Sequence, residues 1–282
     1  MPSMSPSVRP PLTPTSLAWR VAAVAGFCLV AGAAVTALPR IGQDPHYHDF
    51  ADGRTLLGVP NLLNVASNLP FAVVGAAGLA TVFSPPARRL SAAERASFAL
   101  MFAGVAATSV GSAYYHWFPD NATLVWDRLP MTAAFMGFFA AVIAERVSVR
   151  AAGWLLAPLA AAGLAAAWYW HLTELRGQGD LRPYILVQFL PLAALPLILA
   201  LFPCRYLDGR TLMAGLGWYA AAKACEHFDR PVYDALGGAV SGHTFKHILA
   251  AAGVWWLLRA LRAGLSRLNE GDAACDAARA PR

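Results

Sequence analysis

Apolar residues run along this chain in eight windows of roughly 18 to 23 positions, the length a helix rising 1.5 Å per residue needs to cross about 30 Å of hydrocarbon. The windows cover approximately 18–38, 61–83, 96–117, 122–144, 151–171, 183–203, 210–227 and 242–262, and polar residues gather at their ends. The pattern predicts an all-α polytopic membrane protein. Its core is a seven-transmembrane-helix bundle over residues 61–262, preceded at 17–60 by one extra N-terminal transmembrane helix and an outer loop. The window at 210–227 contains Lys223 and Glu226 and is the weakest of the set. The first apolar run exceeds the usual signal-peptide core of about 7–15 residues and is read as an uncleaved helix, with a cleaved signal peptide as the alternative. Residues 1–16, rich in Pro and Ser, and 263–282, rich in Ala, Arg and Asp, read as disordered cytoplasmic tails.

Composition agrees with this picture. The chain is 57% hydrophobic and 13% charged, with a mean hydropathy of +0.47, which excludes an ordinary soluble domain. Fourteen arginines fall on the side of the two termini and five on the other, while Arg128, Lys223 and Lys246 lie inside spans. The positive-inside rule therefore places both termini in the cytoplasm. The net charge of +6 follows from that topology. No basic run is interleaved with stacking aromatics, so no nucleic-acid partner is expected. Cys28, Cys204, Cys225 and Cys275 show no CxxC spacing and read as packing residues or a free tail thiol.

Short signals set the local geometry. Pro119, Asp120 and Asn121 make a tight turn, so the third and fourth segments are antiparallel neighbours. The related stretches at 52–57 and 208–213 each begin with an aspartate, Asp52 and Asp208, expected to cap a helix. The loop at 39–60 collects Asp44, His46, His48, Asp49 and Asp52, a set able to hold a divalent ion or simply to form a solvated acidic loop.

Ser112, His116, Asp127, His243 and His247 are the polar groups that carry candidate chemistry. His116 ends the third segment and Asp127 begins the fourth. Ser112 precedes His116 by four residues, and His243 and His247 repeat that spacing, which stacks two side chains on one helix face. By the topology all five fall within one outer leaflet. Three neutral imidazoles with an open fourth position are a familiar catalytic zinc environment, in which bound water ionises near neutral pH. Asp127 would orient that water or take its proton, and Ser112 would donate to the developing oxyanion. An aspartate at mid-helix costs roughly 3 kcal/mol to insert, so its default reading is functional. A serine triad of Ser112, His116 and Asp127 would leave His243 and His247 idle, and HTFKH lacks the glutamate of the HExxH proteases. His171 and His227 read as interfacial residues. Lys223 and Glu226 are spaced for an ion pair. Lys246 is expected to face away from the histidines and to snorkel, meet Glu226 or touch a lipid headgroup.

With these residues in place, the chain resembles the alkaline ceramidase family, part of a superfamily of seven-helix membrane hydrolases that includes the progestin and adiponectin receptors. The likeness covers about residues 49–262. Asn61-Leu-Leu-Asn64-Val-Ala-Ser67-Asn68 is similar to an ExxNxxSN motif, Gly111-Ser112-Ala-Tyr-Tyr-His116 to GSxxxH, Asp127-Arg-Leu-Pro130-Met131 to DELPM, and His243-Thr-Phe-Lys-His247 to HxxxH. The resemblance implies a Zn2+ ion held by His116, His243 and His247, with Ser112 and Asp127 serving the cleavage of a ceramide amide in sphingolipid metabolism. The family glutamate that helps bind a regulatory calcium is Asn61 here, so Ca2+ would have to rest on Asp49 and Asp52. Arg128 replaces an acid and Lys246 an apolar or aromatic residue. The expectation is a zinc-dependent amidohydrolase acting on a membrane lipid, ceramide or another N-acyl lipid. Its alternative is a non-catalytic lipid-binding receptor with a structural zinc. An ion or proton carrier would spread polar residues across the full membrane depth, and here they cluster on one side.

Overall fold

All eight apolar windows fold as helix. The computed structural model describes residues 13–270, and its helices are α1 (Pro14–Ala37), α2 (Leu62–Ala66), α3 (Leu69–Val82), α4 (Ala92–Trp117), α5 (Asn121–Arg146), α6 (Val149–Leu175), α7 (Arg182–Leu201), α8 (Gly209–His227), α9 (Asp229–Ala235) and α10 (Gly242–Glu270). Seven described spans are long and apolar enough to cross a membrane: α1, the α2–α3 pair, α4, α5, α6, α7 and α10. The chain is a multi-pass all-α membrane bundle. Helix α8, 19 residues long, is not among these seven, because Lys223, Glu226 and several glycines dilute its apolar character.

The second window is broken rather than continuous. Pro70 has no amide proton, and its ring opposes the carbonyl four residues back, so α2 stops at Ala66 and α3 starts at Leu69. The Asn68 amide turns to the Val65 carbonyl, and side chains in the gap serve the Asn64 carbonyl in its place. Ser67 Oγ and Asn68 Nδ2 both donate to the Asn64 carbonyl, at 3.0 and 2.8 Å. This break sets Ser67 and Asn64 inward at the level of the histidines.

Helices α4 and α5 form the most extensive pair. Each opens on a capping box, Ser91 with Glu94 and Asp120 with Thr123, which satisfies amides that have no partner within the helix. Along the seam a Cβ on Gly104 would lie 2.5 Å from the Ala134 nitrogen, and one on Gly111 would strike the Trp126 carbonyl. Small residues let the backbones approach closely, as membrane helices require in the absence of a hydrophobic drive between them. At the opposite end of α5, Glu145 accepts the backbone amides of Arg205, Tyr206 and Leu207 at 2.7, 2.9 and 3.1 Å. That carboxylate fixes the connection from α7 to α8.

Several expectations are corrected. Helix α10 continues to Glu270, so the segment expected to form a tail from 263 is helical for its first part. Helix α1 begins at Pro14, inside the expected 1–16 tail. Asp208 does cap α8, accepting from the Thr211 amide at 3.2 Å. Asp52 caps no helix: it pairs with Arg54 through contacts of 2.8 Å, and the next helix starts ten residues later at Leu62. Cys28 and Cys225 are free, whereas Cys204 takes part in a disulfide instead of simply packing. Cys275 and the remainder of both tails lie outside the described residues.

Candidate metal centre

The tight turn after α4 and the break before α3 bring three imidazoles together. His116 occupies the last turn of α4, and His243 and His247 the first two turns of α10. All are buried, at 0, 4 and 3% exposure. Their ring centroids lie 4.8 to 4.9 Å apart, and one ligand atom from each falls within 4.8 Å of the others. His116 Nε2 and His243 Nε2 are 3.3 Å apart.

Hydrogen bonding fixes which nitrogen faces inward. The Ser67 hydroxyl donates to the Asn64 carbonyl, so its lone pair accepts the Nδ1 proton of His247 at 2.8 Å. His247 Nε2 is then left with a lone pair, and it has no protein partner, as is true of His116 Nδ1. Unpaired buried polar atoms cost about 1–3 kcal/mol each, and three converging imidazoles cannot all satisfy one another. The three rings could hold a metal ion, which would give His247 Nε2 a partner, with Ser67 orienting that ligand as such outer partners do. Among the described residues no fourth His, Cys, Asp or Glu joins the group. Imidazole donors suit several transition metals, zinc included.

A second set of contacts braces the trio. Asn61 Nδ2 donates to the His116 carbonyl at 2.9 Å. Asn64 Oδ1 accepts from Thr244 Oγ1 at 2.8 Å and Ser241 Oγ at 3.4 Å. Asp229 accepts the His243 amide at 2.7 Å and the Ala51 amide at 2.8 Å, joining the start of α10 to the 39–60 loop. That loop lays the Phe50 ring over His116 and His243, with centroids 4.7 and 4.6 Å away. Phe50 and Asp229 carried no sequence signal for this site, and Thr244 stood inside the HxxxH stretch with no role assigned to it. Asn64 and Ser67 stood within a quoted motif, but their contact with the ligands needed the helix break to be seen.

Ser112 and Asp127 are both buried, at 2 and 5% exposure. Both line a cavity of about 320 Å3 that also reaches His247. Its walls come from α4, α5, α7, α8 and α10, with Met101, Phe135, Leu192, Leu216 and Leu257 among the apolar residues. Helices α7 and α8 touch only sparingly, and Phe189 of α7 lines the cavity while remaining 40% exposed on the lipid-facing surface.

Lys246 turns toward the histidines instead of away. It lies three residues after His243, hence on the same face, with Nζ 3.4 Å from His243 Nε2 and 2.7 Å from Glu226 Oε1. Glu226 also pairs with Lys223, as the spacing predicted. Among the described residues, the side chains of the acidic loop take separate partners and form no group of three candidate ligands. His48 bonds Tyr115 and Asn121, both at 2.9 Å, while Asp44 caps a short turn. Asp49 pairs with His46, holding that imidazole above its ordinary value through the hydrogen bond. The hydrogen bond from Arg54 keeps Asp52 below the usual carboxylate range, so Asp49 and Asp52 serve separate partners. His171 and His227 rest on Trp168 and Phe228, away from the trio. No protein-family model matches the chain, and no curated protein matches it.

Proposed function

We propose that the chain is a zinc-dependent intramembrane hydrolase that cleaves the amide bond of a ceramide-like or other N-acyl lipid, in the manner of the alkaline ceramidases it resembles. One observation carries this reading: the buried imidazole trio opens through His247 onto a largely apolar cavity of about 320 Å3 that Ser112 and Asp127 also line. A structural zinc site takes four protein ligands, whereas a catalytic one takes three and leaves a position open. A receptor with a purely structural metal would also need neither a base nor an oxyanion donor.

Zinc, when bound by His116, His243 and His247, supplies Lewis acidity toward a carbonyl and lowers the pKa of water. The residues of the chain do the rest. Asp127 accepts a proton at its carboxylate and passes it to the departing amine. Ser112 Oγ is the donor available to the oxygen on which negative charge develops. The Phe50 roof and the apolar walls exclude bulk water, which strengthens both interactions. The positive-inside bias favours cytoplasmic termini, which would put the centre under the outer leaflet.

Metal analysis of the purified protein, together with mass-spectrometric detection of products from a panel of N-acyl lipids, tests the proposal. His243→Ala loses both zinc and turnover. Asp127→Ala keeps the zinc while turnover falls by about 10²–10⁴. A wild-type protein that takes up no zinc, or an Asp127→Ala variant as active as wild type, rules the mechanism out.

A further inference from the structure

Arg128 is a buried cation that makes no ion pair with a carboxylate among the described residues. It follows Asp127 on α5, is 4% exposed and lines the cavity. Its guanidinium carbon lies 4.0 Å from the Trp170 ring centroid, 4.7 Å from that of Tyr184 and 5.7 Å from that of Tyr47. Nη2 donates to Gln43 Oε1 at 2.7 Å. Nη1 is buried without a partner, and among the described residues no carboxylate stands in ion-pair contact with the group.

Aromatic faces and one neutral amide hold a guanidinium in position, but they do not neutralise its charge. A buried charge left in this state is costly. Its planar fork, already fixed and with one arm free, matches a carboxylate or phosphate. The cavity's charge balance agrees. Arg128, Lys223 and Lys246 face it against Asp127 and Glu226, and Glu226 is taken by both lysines. The cavity is also amphiphilic along its length. From Lys246 to the apolar end at Leu257, helix α10 advances roughly 16 Å at 1.5 Å per residue, and Leu195 and Leu212 line the cavity with it.

We infer that Arg128 binds the carboxylate or phosphate of an anionic amphiphile whose acyl chain fills the cavity, making an acidic N-acyl lipid the preferred substrate over a neutral one. The substrate half rests on the hydrolase reading; the anion site does not.

Two matched pairs with identical acyl chains test it on the zinc-loaded protein: N-acylglycine against N-acylethanolamine, and ceramide 1-phosphate against ceramide. The anionic member of at least one pair is expected to lead in kcat/KM by about tenfold or more, mainly through KM, as charge-assisted contacts imply. Arg128→Gln collapses that ratio and Arg128→Lys restores part of it. The pair with the larger ratio distinguishes carboxylate from phosphate. Equal rates within both pairs for the wild type overturn the inference without any variant. In parallel, binding of a fluorescent long-chain fatty acid is expected in the wild type and lost in Arg128→Gln, with inorganic phosphate failing to displace it. Displacement by phosphate alone would overturn a lipid headgroup as the ligand. If the fatty acid binds through Arg128 but no N-acyl lipid is cleaved, the hydrolase proposal fails and the anion site stands. Cleavage without headgroup preference, with equal fatty-acid binding in both proteins, gives the reverse.

Discussion

Ser67 holds the Nδ1 proton of His247 and so decides which nitrogen of that ring would meet a metal. Replacing it with alanine leaves the imidazole free to turn and to change tautomer. Such outer partners are worth about 10–100-fold in metal affinity, so Ser67→Ala should weaken zinc binding by that factor in a competition titration against a chelator, with helix content unchanged. At this scale the trio itself was legible, because four-residue spacing on one helix and a tight turn after another leave few ways to place the rings. For Lys246 the expected contact with Glu226 is present but the expected facing is not: three residues also return to one face, and Glu226 on α8 supplies the anion that draws the ammonium inward. The Phe50 roof was not legible, since it depends on a loop held by Asp229 from a distant part of the chain.

Between elements, the α4–α5 seam determines how Ser112 and His116 face Asp127. Gly111 adjoins Ser112 and sits against the Trp126 carbonyl, one residue before Asp127, where a Cβ has no room. Gly111→Ala must push the two helices apart at the level of the site. Overpacking of this kind costs about 1–3 kcal/mol, and a displacement near 1 Å can lower catalysis by about 10². Thermal unfolding and turnover should therefore both fall in this variant, while Gly217→Ala on α8, where a Cβ meets nothing, serves as the control. Helix existence was readable from apolar run length alone. The interruption at 67–68 was not placed, although Pro70 announced it, because the run of apolar residues continues across it.

For the whole molecule, two clasps tie the loops at the histidine end of the bundle. Arg182 pairs with Asp180 and donates to the carbonyls of Thr36 and Leu38 at 2.9 and 2.6 Å, joining α1 to the start of α7. Arg54 pairs with Asp52 and reaches the Ala239 carbonyl at 2.8 Å. Hydrogen bonds from these arginines hold both carboxylates below their ordinary range. A depressed carboxylate pKa adds stability that is complete above the unfolded value near 4 and is lost as pH falls through the folded one. The melting temperature should accordingly drop on acidification below about pH 4. Asp180→Asn should cost about 1–3 kcal/mol at neutral pH and flatten part of that acid slope.

The Phe50 ring covers His116 and His243 at one end of the bundle, whereas α7 and α8 touch only sparingly along the flank where Phe189 lines the cavity and is also exposed. A molecule reaching the imidazoles by that flank travels in two dimensions. Encounter frequency then follows the mole fraction of the lipid among its neighbours in the sheet, and bulk molarity in the surrounding medium ceases to be the relevant concentration.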